Sequence, residues 1–346
     1  MGNCQMKRNH SNDDYDSDDE KITGEKYPRH YRFIDGQRYH NSRNSVYCLP
    51  SDEKECERLN IQHYMYRYIW QSNFSAKVEQ KMINDSGVKV LDVGCGPGTW
   101  LLEMSSEFPK CHFTGIDIFP SMFPEVKPRN AQFIKANVLD GLPFDDDTFD
   151  FVHMRFLCIA FTEDEWEHKV IPELTRLVKP GGYLEIMEAD LQFKNIGSNG
   201  KIFVDAWLQD LSSRFINPLI IHKLEGYLHA TPALQDITSE RRPNPVGDWG
   251  SRVGKVAADV FVSLIRSLET RLIDRMGLTS AEFQELIEFA AHEFNENKTF
   301  SVSCRVYARK LCDDDGIKEG SSTLTSPTAM ISNVDAKTRH SKELSQ

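Results

Sequence analysis

The sequence predicts an α/β protein: a doubly wound, mostly parallel seven-stranded sheet with helices on both faces and a helical cap. Three observations lead there. Short β-branched runs alternate with helix-length segments between residues 88 and 190, the pattern of βαβ units and a parallel sheet. The first run ends in Gly94-Cys95-Gly96-Pro97-Gly98, a turn that opens a helix. Beyond residue 190 the spacing changes to longer amphipathic helices, which supply the cap.

The elements follow in order. Residues 88–93, with Val88, Val90, Leu91 and Val93, read as a buried strand. Residues 99–108 carry Trp100, Leu101, Met104 and Phe108 at helical spacing. Strands are expected at 111–118, 131–136 and 149–154. A helix over 163–178 places Trp166, Val170, Leu174 and Leu177 on one face and stops at Lys179-Pro180-Gly181-Gly182. A fifth strand covers 183–187. Helices are expected over 202–228, 253–273 and 280–296, the last opened by Thr279 or Ser280 as cap. A sixth strand over 235–242 should end at Pro243-Asn244-Pro245, and a final strand covers 299–309. Upstream, 52–82 reads as one helix, so that 27–87 forms a helical lid ahead of a core at 88–190. Residues 191–312 then supply substrate-side helices, expected with the upstream helix to roof the acceptor pocket, and the final strands that complete the same domain.

Residues 1–26 read as a disordered acidic tail, with Asp13, Asp14, Asp16, Asp18, Asp19 and Glu20 in a stretch almost without apolar residues. Residues 313–346 are polar and read as a second disordered tail. The 346-residue chain is 40% hydrophobic and 27% charged, enough for a real core, and carries a formal net charge of −11. That charge disfavours nucleic acid as a substrate. Eight cysteines are scattered without a C-x-x-C pair, so no metal site is expected. With no signal-peptide core and no membrane-length apolar run, the expectation is reduced thiols in the cytoplasm or nucleus. Met1-Gly2-Asn3-Cys4 has the look of an acylation start at Gly2 and Cys4, but Met6 stands where that pattern wants Ser or Thr, so it reads as an ordinary chain start.

The glycine turn carries the chemistry. Glycines let backbone approach a ligand without a Cβ in the way, and the following helix points free N–H groups at whatever lies above. The spacing G-x-G-x-G is one residue shorter than the dinucleotide fingerprint, which counts against a nicotinamide dehydrogenase. Asp92, just before the turn, suits an ammonium better than a phosphate. Asp117, ending the second strand, can accept two hydrogen bonds from a ribose diol. The ligand so described has a ribose, a carboxylate and an amine.

Here the sequence resembles the class I S-adenosylmethionine (SAM)-dependent methyltransferases. Residues 90–100 match the family's first motif and Thr114-Gly115-Ile116-Asp117-Ile118 its second. Residues 137–144 resemble its adenine-side loop, followed by Phe149-Asp150-Phe151-Val152-His153, and residues 177–184 its later helix-turn-strand. Gly36-Gln37-Arg38-Tyr39-His40, Leu49-Pro50, Arg58-Leu59, Gln62-His63 and His153-Met154-Arg155 are similar to a fungal group that includes a regulator of secondary metabolism.

The resemblance implies SAM as cofactor and an antiparallel last strand. Gly94, Gly96 and Gly98 would pass under its methionine part, with Asp92 orienting that turn. Asp117 would hold the ribose, Ile118 would cover an adenine face, and Asn137 and Val138 would sit at the adenine edge. His153, Met154 and Arg155 would lie beside the methionine or the substrate mouth. His153 and Glu188 are the candidate general bases for an oxygen or nitrogen acceptor. Against each stands a structural alternative: His153, like His63, His222 and His229, can be a satisfied core histidine, and Tyr64, Tyr66, Tyr68 and Trp70 a packing face. The expected function is methyl transfer to a small-molecule or protein acceptor. The alternative is a SAM-binding regulator acting through a protein partner.

Overall fold

The computed structural model describes residues 31–34, 37–40 and 49–312; the expected tails and the Gly2/Cys4 start lie outside the described residues. The elements belong to the unit ending at Leu311, and Cys312 is the one described residue of the unit that follows. Strands β1 (Tyr31–Ile34) and β2 (Gln37–His40) pair antiparallel as a hairpin. No strand was expected there, although Asp35-Gly36 between them is a strong two-residue hairpin signal.

Helix α1 (Glu53–Trp70) is capped by Asp52, whose carboxylate accepts from the Glu55 N–H at 3.0 Å. The single helix expected over 52–82 is instead broken. Gln71 turns left-handed at φ 56°, and a separate α2 (Glu79–Asn84) follows the extended link. Next come β3 (Lys89–Val93), α3 (Thr99–Glu107), β4 (His112–Asp117), β5 (Ala131–Lys135) and β6 (Phe149–Arg155). A continuous helical run then joins α4 (Glu163–Glu165), a π-helical turn (Trp166–Val170) and α5 (Ile171–Leu177), opened by a Thr162/Glu165 capping box. It leads into β7 (Val178–Ala189).

The cap differs from expectation in its breaks. Helix α6 (Ser198–Ser213) and α7 (Leu224–His229) are parted around Asn217-Pro218, because proline cannot continue a helix from within. Helix α8 (Ser251–Ser267) and α9 (Glu269–Met276) are parted at Leu268. Helix α10 (Ser280–Glu296) matches the expected span and closes its N-terminus with a Thr279/Glu282 capping box. Strand β8 (Leu234–Pro245) runs through the prolines expected to end it, and β9 (Phe300–Lys310) follows. The reason is position: β8 is the sheet edge, and Pro243 and Pro245, two residues apart, aim their missing N–H groups toward the same free side.

The seven strands lie in the order β5-β4-β3-β6-β7-β9-β8. Pairing is parallel from β5 to β7, and β9 runs antiparallel to both neighbours, as expected of the last strand. Alternate strand residues feed two apolar clusters, one on each face. Leu91, Val93, Val152 and Met154 join the larger; Val90, Phe113 and Phe151 join the smaller with Trp100 and Met104 of α3. Among the described residues no helix is long and apolar enough to cross a membrane.

The link from β3 to α3 fixes the geometry of the site. Gly98 caps α3 with φ 75°, its N–H donating to the Cys95 carbonyl at 2.9 Å while its own carbonyl accepts from Leu102 at 2.8 Å. A Cβ there would stand 2.5 Å from the Phe133 ring of β5. Left-handed backbone alone costs a non-glycine residue about 1–2 kcal/mol. Gly98→Ala should therefore lower the unfolding free energy in urea by at least about that amount, with Phe133 displacement adding to it. A loss under a few tenths of a kcal/mol would contradict this packing.

Candidate active site

Above the glycine turn, at the carboxyl ends of the parallel strands, lies a cavity of about 430 Å³. Open α/β sheets bind ligands at this end. Gly94 and Gly96 form its floor, Asp117 and Ile118 one wall, and the 137–140 segment another. Arg155 and the residues after it close the far side, and α1 crosses it with Leu59, Gln62 and His63.

Asp117 does two jobs at once. Its Oδ2 accepts from the Gly96 N–H at 2.8 Å, and Oδ1 accepts from Phe119 N–H at 2.9 Å, so it pins the turn as well as facing the cavity. Burial pushes its carboxyl up to about 6, against the pull of those N–H bonds. Each oxygen keeps a lone pair for a further donor. Gly96 is left-handed at φ 53°, and a Cβ on it would sit within ordinary contact distance of Leu59, 3.7 Å away. A side chain at this position would enter the space between turn and roof.

Ile118 and Val138 line the cavity with apolar surface. Asn137 also lines it, but its amide is already engaged: Oδ1 accepts from Leu139 N–H and Nδ2 donates to Asp140, both at 3.1 Å. One carbonyl lone pair remains. Arg155 reaches the cavity half-buried, its guanidinium 5.7 Å from the Phe156 ring centroid. Burial lowers its basicity, with Asp92 and Glu103 opposing.

Five of the sequence-derived residues do not line the cavity: Asp92, Gly98, His153, Met154 and Glu188. Strand periodicity explains most of this. Asp92 and His153 are register partners on neighbouring strands, on the face that α3 covers. There His153 Nδ1 lies 2.8 Å from Asp92 Oδ1, and the imidazole stacks on Trp100 at 3.9 Å with rings 5° from parallel. His153 is fully buried, and its Nε2 has no partner among the described residues. It is therefore placed as a packed core histidine rather than a base facing an acceptor. Met154 faces the opposite cluster.

Glu188 is likewise buried, behind the segment that follows β6. Its Oε1 accepts from the Leu157 N–H at 2.7 Å, and burial raises its carboxyl to about 8. It supports a cavity-lining loop without facing the cavity itself. Phe156, which begins that loop, is held left-handed at φ 56° by an N–H bond to the Met187 carbonyl. A bulky side chain in that region is a strained exception that clusters at functional sites.

The expected lid does roof the cavity, but through α1 alone: among the described residues none after Phe161 lines it, so the helices after residue 190 are not on the substrate side of this cavity. Leu59, Gln62 and His63 carry a clustered resemblance upstream of the core, which is the signal for them, although His63 also reads as a core histidine. Lys135, Phe156 and Phe161 also line the cavity and carried no sequence signal of their own, and Asp140 joins them from the loop whose resemblance was read over residues 137–144. Among the described residues, no group of three or more His, Cys, Asp or Glu side chains is placed to hold a metal ion.

Comparison with known proteins bears on this geometry. Residues 90–182 match the family model described as "Methyltransferase domain", which spans every strand and loop of the cavity floor. N-methyltransferase verN of Clonostachys rogersoniana is 34% identical over 147 residues, covering 41% of this chain and half of its own length. Methyltransferase pytC of Aspergillus terreus is 26% identical over 279 residues, 76% of this chain and 79% of its own. Secondary metabolism regulator laeA of Coprinopsis cinerea is 25% identical over 289 residues, 76% of this chain and 69% of its own. The chain thus carries a class I SAM-dependent methyltransferase domain, and it resembles the fungal methyltransferases that include regulators of secondary metabolism.

Proposed function

We propose that the full chain binds SAM in this cavity and methylates a small-molecule or protein acceptor. One observation carries the reading: a bare left-handed turn forms the cavity floor, and the same carboxylate that pins it faces the cavity. When bound, SAM supplies an activated sulfonium methyl group. The residues present suit it. The Gly94–Gly96 backbone and the first N–H groups of α3 would take the methionine part, and Asp117 retains lone pairs for the ribose hydroxyls. Ile118 and Val138 offer apolar cover for the adenine, with Asn137 at its edge. The Arg155 cation would offset the methionine carboxylate. Asp92, Gly98 and Met154 act from beneath, by holding β3, the turn and β6 in place.

Because the methyl is already activated, the protein's main task is to hold the acceptor in line. Phe156, Leu157, Ala160 and Phe161 give that end of the cavity an apolar wall that excludes water. An apolar metabolite or a protein side chain fits such a wall, and the acidic chain disfavours nucleic acid. A second reading is a SAM-binding regulator that works through a partner. It is favoured by Ile61, Tyr64 and Tyr68, which form an exposed stripe on the outer side of α1. The test is turnover of methyl-labelled SAM by the purified chain with cell extract. Release of S-adenosylhomocysteine with a labelled product supports the enzyme; tight SAM binding without release in any extract leaves the regulator.

Asp117→Ala should weaken SAM binding about 10- to 100-fold, the scale for hydrogen bonds to a charged group. In the wild type the affinity should fall as pH drops through about 6, because protonated Asp117 is a poorer acceptor. Calorimetry across pH 5–8 checks both, and unchanged affinity in the variant would remove Asp117 from the site. Glu188 sets a different pH signature. Its folded-state carboxyl is raised from 4.5 to about 8, so its contribution to stability is complete below 4.5 and is lost as pH rises toward 8. Glu188→Gln should remove that loss, making the variant gain on the wild type in thermal stability between pH 5 and 8. Parallel pH profiles for the two proteins would show that Glu188 does not hold a proton in the folded state.

A further inference from the structure

We propose that His63 is a positioning residue that latches α1 over the cavity and so sets how fast the cofactor leaves. The inference rests on reading the cavity as the SAM site. Helix α1 is held differently at its two ends. Its C-terminal half is anchored in the core through Met65, Tyr66 and Trp70; the Trp70 indole N–H donates to Ser303 Oγ at 2.9 Å, and the Arg305 guanidinium lies 4.4 Å from its ring centroid. Its middle crosses the cavity, with Leu59 within contact distance of the space above Gly96. A ligand resting on the turn is therefore touched by α1.

What holds this middle portion to α3 is polar. Asn60 Oδ1 accepts from the Thr99 hydroxyl. One turn on, His63 Nε2 lies 2.7 Å from Glu103 Oε2, and one turn further Arg67 Nε approaches Glu103 Oε1 at 3.5 Å. Residues 60, 63 and 67 share one face of α1, and 99 and 103 share one face of α3. The carboxylate can only accept, so Nε2 carries the proton and His63 donates as a neutral imidazole. Its ring is buried while Glu103 is partly exposed, so the bond sits at the edge of the roof, where water can compete for one partner only.

The charged groups around His63 decide its response to pH. Glu103 from α3 and Asp92 from β3 favour its protonation; burial and the Arg155 guanidinium at the end of β6 oppose it and prevail, lowering the imidazole to about 4. Released into water the ring would return to about 6.5. Opening the latch thus takes up a proton below pH 6.5. The closed form is favoured at higher pH and loses ground by up to about tenfold per unit as pH falls toward 4.

The test is the dissociation rate of SAM from the full chain, measured by stopped flow at pH 5.5 and 7.5, for the wild type, His63→Ala, Glu103→Ala, the double variant and His63→Gln. Either alanine should speed release about 10- to 100-fold, and the double variant should release no faster than the quicker single, since both break one bond. His63→Gln restores a neutral donor to Glu103, so it should recover most of the loss. It should also release SAM with a smaller acceleration at pH 5.5 than the wild type shows, Asp117 being common to both. Additive alanine effects, or a glutamine variant as fast as the alanine one, would overturn the latch. Release unchanged in every variant would overturn it too, while SAM binding remained. A wild-type chain that fails to bind SAM would overturn the cofactor reading instead, and the latch with it.

Discussion

The Asp117 carboxylate and the Gly96 N–H, 2.8 Å apart, join the end of β4 to the bend after β3, and the cavity takes its shape from that bond. The bend needs left-handed backbone at Gly94, Gly96 and Gly98, a conformation with few internal hydrogen bonds of its own. Gly94 and Cys95 both send their N–H groups to the Ile116 carbonyl, and Gly96 sends its N–H to the next acid on the same strand end. Three successive donors are thereby satisfied by β4. The backbone is free to approach a ligand because its own polar groups are already paired from the side. A carboxylate used this way must stay half-buried, which explains both its raised pKa and its remaining capacity to accept.

The same economy governs the polar groups beneath the floor. Asp92 and His153 are each buried on the α3 face, where an isolated charge or an unpaired imidazole would be costly. Parallel register brings them side by side, and Trp100 stacks on the His153 ring. On the same face Glu185 accepts from the Ser75 and Ala76 N–H groups at 2.7 and 2.6 Å, tying the link after α1 to the middle of β7. Three acids serve as backbone anchors: Glu188 for Leu157, Glu185 for the 75–76 link and half-buried Asp117 for the turn.

How much of this was legible in the sequence depended on range. The strand-turn-helix order and the five parallel strands follow from local spacing, and so do the Thr279 cap and the residues of the floor. Two misreadings were local, the hairpin at Asp35-Gly36 and the helix break around Asn217-Pro218; the others concern contacts between distant segments. That His153 would face Asp92 requires the register of two strands 61 positions apart, which no local pattern encodes. That β8 survives two prolines requires knowing it is an edge. The break after Trp70 falls where that side chain reaches β9 at Arg305 and, 233 positions away, at Ser303, contacts that no local pattern encodes. A lid over 27–87 was legible, but not which of its residues face the ligand, since Leu59, Gln62 and His63 become site residues only when α1 is laid across the sheet.

This division between floor and roof has a consequence for specificity. The floor is built by strand ends and main-chain hydrogen bonds, which leave little freedom to vary without losing the turn. The walls beyond it come from α1 and from the loop after β6, where Phe156 is left-handed and Tyr66 packs on its ring at 4.6 Å. Tyr66 belongs to the anchored half of α1, so the loop's strained conformation is braced by the same helix that roofs the cavity. On the proposed reading, α1 and residues 156–161 would set acceptor choice jointly, and a change in how α1 seats would reach the acceptor end as well as the cofactor. Relatives that share the floor and differ in these two segments would keep the chemistry and change what receives the methyl group, which is how a sequence so informative about SAM can be nearly silent about its acceptor.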